Sequence, residues 1–280
     1  MASLTSSAMA MDLGALWDFN NPALSEQRFR AALTSAQGDD ALILQTQVAR
    51  TYGLRKHFAQ AQQLLQSLAP TMAQAGAEAR TRYALEQGRA LASGKHDPQA
   101  LTPEAKAQAR AHYQRALDTA RSAQLDALAI DAIHMFAFLD TAPADQLKWG
   151  EAALAVVLQS QQPDARKWEA SVRNNIGYAL HQLGRYPEAL AQFEQALALR
   201  EQGSNASATR VARWMVAWTL RSLQRLDEAL AIQLRLETEC AAAGEPDPYV
   251  FEELEVLYQA KGDMERAAHY ARLKASAAEP

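Results

Sequence analysis

The sequence predicts an all-α protein built as a stack of helical hairpins rather than a globule closed around one pocket. Three observations predict it. A hairpin pattern with alanine at one crucial place returns four times: Ile176-Gly177, Leu180, Gly184, Ala189, Phe193 and Ala196; Val216-Ala217, Leu220 and Ala229; Phe251, Leu254, Tyr258, Gly262 and Ala267; and Val48-Ala49, Tyr52, Ala61 and Leu65. Hydrophobic residues make up 49% of the chain, and much of that is alanine, a strong helix former, while runs of valine, isoleucine and threonine are few. The 12 glycines and 10 prolines fall mostly between the periodic segments. Units repeating at this period bury their apolar faces against their neighbours. That moves the functional expectation from chemistry toward binding.

Residues 1–20 read as a flexible lead with a short helix around Leu13 to Phe19, and Met11 is an alternative start. Ser25, Phe29, Ala32 and Leu33 look like a second helix, which gives a part repeat, and Gly38, Asp39 and Asp40 break the chain before the first full one. The repeats lie near 42–75, 77–121, 126–160, 170–203, 210–243 and 248–275, with 276–280 a frayed tail. In the second, Gly88 and Leu91 face Ala109, Tyr113, Ala116 and Leu117. Between them Ser93 to Pro103 is an insertion with a Thr102-Pro103 helix start, where proline's missing N–H is harmless. The third pairs Ile133 and Phe136 with Trp149 and Ala152, with Asp145 at the key small position. In the fourth, Gly184 stops a helix in a left-handed conformation and Pro187-Glu188 opens the next. In the sixth, Gly262 does the same and Asp263 caps.

Residues from about 42 to 275 resemble the tetratricopeptide repeat family, whose pattern of about 34 residues runs W-x2-L-G-x2-Y, then A-x3-F, then a proline. The resemblance implies an α-solenoid of about six hairpins in a right-handed superhelix. Its concave groove would be lined by the first helix of each hairpin. Small residues at Ala49 and Gly177, and the alanines at 61, 189, 229 and 267, would permit close helix crossings that larger side chains would overpack. The key positions 61, 109, 145, 189, 229 and 267 are all spaced more widely than the family's period, so the superhelix is expected to be irregular.

Helical spacing selects the groove-facing candidates. They are Asn174, Asn175, Tyr178 and His181 in the fourth repeat, Trp214, Trp218 and Arg221 in the fifth, Tyr249 in the sixth, and Arg50, Arg89 and His134 in the earlier ones. Trp214 and Trp218 lie one turn apart, opposite a packing face already supplied by Val216, Ala217 and Leu220. Tryptophan is a frequent binding anchor, although both rings could equally pack on the 203–208 loop or a neighbouring helix. An asparagine amide can bond a peptide N–H and C=O together, and Asn175 stands where peptide-binding members of the family carry one. The arginines could meet carboxylates of a partner or remain solvated. The carboxylate clamp of chaperone-tail binders is not reproduced, since the corresponding positions hold Thr46, Arg50, Glu86, Ala127 and Asp131.

The chemistry-bearing motifs are absent: no H-E-x-x-H, no glycine-rich phosphate loop, no G-x-S-x-G, and a single cysteine, Cys240. His134, Asp131 and Glu86 could converge from adjacent helices, but the sequence reads as a non-enzyme without cofactor or metal. A net charge of −4 and a pI near 5.9 oppose nucleic-acid binding. No stretch approaches the roughly 18 apolar residues of a membrane span, and residues 1–10 carry no basic, apolar leader. The expectation is a cytoplasmic scaffold or adaptor with a protein or peptide partner and possible self-association. The alternative is a ligand- or peptide-responsive regulator.

Overall fold

The computed structural model describes residues 12–277, with the backbone alone at Ala100. The alternative start at Met11, the leader expectation for residues 1–10 and the end of the frayed tail at 278–280 lie outside the described residues. All regular structure among them is helical. The chain divides into two compact units, 1–140 and 141–280, each a run of stacked hairpins, as an α-solenoid requires. The division falls inside the third expected repeat.

In the first unit, α1 (Leu13–Leu16) and α2 (Pro22–Leu33) precede α3 (Gly38–Leu54), α4 (Phe58–Met72), α5 (Ala77–Leu91), α6 (Pro103–Ser122) and α7 (Asp126–Phe136). The short segment expected around Leu13 to Phe19 is helical over Leu13–Leu16 and packs on the elements that follow it. Trp17 meets Phe29 edge-on at 4.9 Å, and Leu13 and Leu16 cover the core of Phe29, Leu44 and Val48. The caps follow the sequence: Asn21 accepts from Leu24 N with Pro22 behind it, and Thr102 accepts from Ala105 N beside Pro103. The start of the insertion is held by two contacts. Tyr113 Oη donates to the Ala92 carbonyl at 2.7 Å, and the His96 ring stacks on Phe58 at 3.6 Å.

The second unit contains α8 (Pro143–Gln159), the single turn α9 (Pro163–Arg166), α10 (Glu169–Gln182), α11 (Tyr186–Glu201), α12 (Ala206–Ser222), α13 (Leu226–Ala242), α14 (Pro248–Ala260) and α15 (Met264–Ala277). Here α8 packs on α10. The third repeat's register needs correcting: Asp145 is exposed in the first turn of α8. The small residue at the helix crossing is Gly150, where a Cβ would come within 2.7 Å of Ile176 Cγ1. Helix α15 continues past the expected end of the solenoid at 275 to Ala277.

The hairpin turns share one hydrogen bond, from the first N–H after the turn to a carbonyl in the last turn of the first helix. It runs from His57 to Tyr52, Arg185 to Leu180, Arg225 to Leu220 and Asp263 to Tyr258. Gly184 and Gly262 supply the left-handed residue at φ 73° and 78°, as their sequence positions suggest, whereas Lys56 and Gln224 adopt φ 63° and 62° in the equivalent turns. A shared hydrogen bond thus holds two ordinary side chains where glycine costs less.

The five alanines at 61, 109, 189, 229 and 267 are all buried, none more than 3% exposed. Their partners explain why. A Cβ on Gly177 would lie 2.8 Å from the Phe193 ring, and one on Gly88 would lie 2.4 Å from Tyr113. Each aromatic comes four residues after a key alanine, so the small residue on one helix and the ring on the other are a single fitted contact. In the fifth repeat the ring is replaced by Gln233, fully buried with neither side-chain polar atom hydrogen-bonded. Gly177→Ala should therefore destabilise the chain by about 1–3 kcal/mol, the usual cost of overpacking. Adding Phe193→Leu should recover part of that loss. Urea unfolding followed by circular dichroism measures both, and an unchanged midpoint for Gly177→Ala would refute the fitted-contact assignment.

Candidate functional site

The candidate residues form one group in each unit. In the first unit Arg50 on α3, Arg89 on α5 and His134 on α7 come together around two carboxylates, Glu86 and Asp131, both almost fully buried. Arg89 hydrogen-bonds both carboxylates. Arg50 stands further off, 3.8 Å from Glu86 and 3.7 Å from Asp131, and lies under the rings of Trp17 and Phe19, 5.7 Å from each centroid. Trp17 and Phe19 stack on each other at 4.6 Å, and Trp17 Nε1 donates to Gln47 Oε1 at 3.1 Å.

Burial alone would raise the Asp131 carboxyl, but the charges of Arg89 and Arg50 outweigh it and hold the group at about 2. Burial likewise works against the Arg89 charge, and the Asp131 and Glu86 carboxylates overcome it. Arg50 is pushed down by its burial and by the neighbouring Arg89 charge, and His134 is pushed down by burial. The triad His134, Asp131 and Glu86 does converge, yet Asp131 is ionised far below neutrality and engaged by Arg89. This makes it a poor proton carrier near pH 7. The cluster's evident work is to tie α3, α5 and α7 together. A half-broken buried pair is costly.

In the second unit α10, α12 and α14 present a ladder of rings. His181 stacks on Trp218 at 3.4 Å, Tyr178 on Trp218 at 6.0 Å, and Trp214 on Trp218 at 5.7 Å, with ring planes within 18–23° of parallel. The amphipathic α12 produces this arrangement. Val216, Ala217 and Leu220 are buried on one side, which leaves Trp214, Trp218 and Arg221 half-exposed on the other. Trp214 packs on the last hairpin's core and donates its indole N–H to the Tyr249 carbonyl at 3.2 Å, as the neighbouring-helix reading of it expects. Trp218 Nε1 makes no hydrogen bond among the described residues. The Tyr249 and Tyr178 side chains are exposed, at 64% and 43%.

Arg221 is engaged, forming a two-pronged pair with the buried Glu253 at 2.7 and 2.8 Å. That pairing is not legible in the sequence, because its residues lie on different repeats. His181 Nε2 is 2.9 Å from Ser222 Oγ, which itself donates to the Trp218 carbonyl. Nε2 therefore carries the imidazole proton and Ser222 Oγ accepts it. Asn174 is half-buried, and its amide makes no hydrogen bond among the described residues, while Asn175 is exposed. Among the described residues no cluster of three or more His, Cys, Asp or Glu could hold a metal ion.

Two outcomes follow for these groups. Arg89→Met strands two buried carboxylates and should cost about 3–5 kcal/mol. Arg50→Met, which removes only the longer contacts, should cost clearly less; equal losses in urea unfolding would contradict the roles assigned. Burial and the Arg221 charge push His181 down to about 4 from its ordinary 6.5. Between those values the unfolded chain binds the proton and the folded chain does not. Stability from this group is complete above pH 6.5 and is lost as pH falls toward 4. His181→Gln should flatten the unfolding midpoint across that window relative to the parent chain, and an unchanged slope would show that the ring is not held neutral.

The tetratricopeptide repeat family model matches residues 168–236. A comparison with curated protein sequences finds no match. Among solved structures the chain is similar to the apo form of the quorum sensor NprR from B. thuringiensis, at 13% identity and a TM-score of 0.51, over 94% of this chain and 83% of that one. It is also similar to BtubC from P. vanneervenii, at 16% identity and a TM-score of 0.44, over 95% and 91%. A third is a Rap protein complexed with competence and sporulation factor, at 14% identity and a TM-score of 0.48, over 95% and 84%. At 13% identity the likeness to the NprR structure shows the fold alone. The stretch that carries Tyr178, His181, Trp214, Trp218 and Arg221 lies within the match to the tetratricopeptide repeat model, and the chain resembles that family.

Proposed function

We propose that this chain is a cytoplasmic adaptor whose second unit binds a protein segment in extended form along the face shared by α10, α12 and α14. It acts by binding rather than by catalysis. The observation that carries this reading is the ring ladder with unspent polar groups beside it. Rings that make half-exposed stacks provide apolar contact area at little entropic cost. The Trp218 indole N–H can donate to a backbone carbonyl, and the Asn174 amide can bond a backbone N–H and C=O together. Arg221, neutralised by Glu253, serves to hold α12 against α14 rather than to attract charge.

The bulk properties support the same reading. A net charge of −4 disfavours nucleic acid as the partner. Among the described residues no helix is long and apolar enough to cross a membrane. The single thiol, Cys240, is buried, and burial pushes it up, away from reactivity. In the first unit Arg89 is used internally, so Arg50 is the residue of that group with donors to spare for a partner carboxylate.

Affinity capture with the parent chain and with Trp214→Ala/Trp218→Ala tests the proposal, with folding checked by circular dichroism. The double variant should lose the specific partners, each truncated anchor costing about 2 kcal/mol of binding. A folded double variant that keeps all of them would rule out the ring face as the binding surface.

A further inference from the structure

A second candidate binding surface lies in the first unit, away from the charged cluster. It is a groove of about 860 Å³ between α4 and α6, floored by α5. Its counterpart in the second unit lies between α11 and α13 over α12. The two can be compared position by position, aligning Ala61 with Ala189, Gly88 with Ala217 and Ala109 with Ala229. In the second unit the floor residue Arg213 bridges the walls, bonding Glu201 on α11 and Glu239 on α13 at 2.8–2.9 Å. In the first unit the same three positions hold Ala84, Ala73 and Thr119, all lining the groove. The bridge that spans the groove in one unit has small residues in its place in the other, where the groove is larger, about 860 Å³ against about 510 Å³.

Charge has also been left behind. Arg80 on the floor and Arg115 on the α6 wall are exposed, and neither pairs with a carboxylate among the described residues. Arg115 meets only the His112 ring nitrogen, at 3.3 Å. Tyr83, between them, accepts from Gln87 Nε2 through its hydroxyl oxygen and donates to nothing among the described residues. The groove therefore offers small residues, Ala73, Ala77 and Ala84, that admit a close backbone, and its lining carboxylate Asp118 accepts from Gln114 Nε2. Beside the alanines stand two guanidinium groups lacking the carboxylates that their counterpart groove supplies internally.

We propose that this groove binds an acidic amphipathic helix of a partner protein. The apolar stripe of the helix lies over α5, and its carboxylates pair with Arg80 and Arg115. Such a helix would supply in trans the charge that Glu201 and Glu239 supply in cis. The site is separate from the ring ladder and does not depend on it.

The test is a displayed library of amphipathic helices about five turns long, with a fixed apolar stripe and flanking positions free to be Glu, Lys or Gln. The library is selected on the full-length chain. Selected helices should be enriched in Glu over Lys at flanking positions. Arg80→Glu/Arg115→Glu should weaken them about tenfold or more in fluorescence anisotropy. Ala73→Glu/Thr119→Glu, which restores internal carboxylates at surface positions, should do the same, while Trp214→Ala/Trp218→Ala should leave binding unchanged. The proposal is overturned if no helix is selected, if Lys is as frequent as Glu, or if binding survives both groove variants. It is also overturned if sedimentation shows that the parent chain self-associates and Ala73→Glu/Thr119→Glu disperses it, since the occupant would then be a second copy.

Discussion

The closest packing constraint in this molecule is the crossing of paired helices at a residue too small to hold them apart. Gly177 under Phe193 and Gly88 under Tyr113 are the clearest cases, and the buried alanines at 61, 109, 189, 229 and 267 are its other half. Because interiors are packed near crystal density, these contacts tolerate little change in volume. They fix the rotation of each helix about its own axis. Once Val216, Ala217 and Leu220 must face inward, Trp214, Trp218 and Arg221 have no choice but to share the opposite side. The functional surface is thus a consequence of where small residues are placed on the hidden face.

The two units then use their first-helix faces in opposite ways. The first fills its face with charge, where Arg89 locks Glu86 and Asp131 and Arg50 lies beneath Trp17 and Phe19. Desolvating such groups is expensive, and their mutual satisfaction gives geometric specificity more than net stability. The second unit fills its face with rings and sets the Arg221–Glu253 ion pair beside them. Rings can be half-exposed at small cost and still be displaced or covered by a partner, which suits a surface meant to be occupied. Between second helices the contrast reverses: the second unit spans its groove with the Arg213 bridge, and the first leaves its groove unbridged.

The sequence revealed the fold more fully than the site. Helix identity and the crossing alanines were legible because they repeat, and a repeated local pattern reports a repeated local contact. The third repeat was misread because Asp145 occupied the expected position, while the small residue at a close crossing of α8 is Gly150, which faces Ile176 on α10. Left-handed turns at Gly184 and Gly262 were visible, but those at Lys56 and Gln224 were not, since the hydrogen bond that stabilises them is independent of side chain. Among the candidate residues, the one-turn spacing of Trp214 and Trp218 announced a shared face. Nothing local could announce Asp131 joining Glu86 on Arg89, or Glu253 neutralising Arg221, because those partners come from other repeats. The short helical segment before Ser25 was legible, but the bond from Trp17 Nε1 to Gln47 that ties it to α3 was not.

The central claim is that the ring face of the second unit, with its unpaired indole N–H, is where a partner chain lies. The most direct measurement is the pair of indole N–H resonances of Trp214 and Trp218, followed by ¹⁵N-resolved NMR as a captured partner segment is added. The Trp218 signal should move to the position of a hydrogen-bonded indole, while that of Trp214, already bonded to the Tyr249 carbonyl, should move less. A partner that saturates the protein while leaving both indole signals where they were would contradict the account.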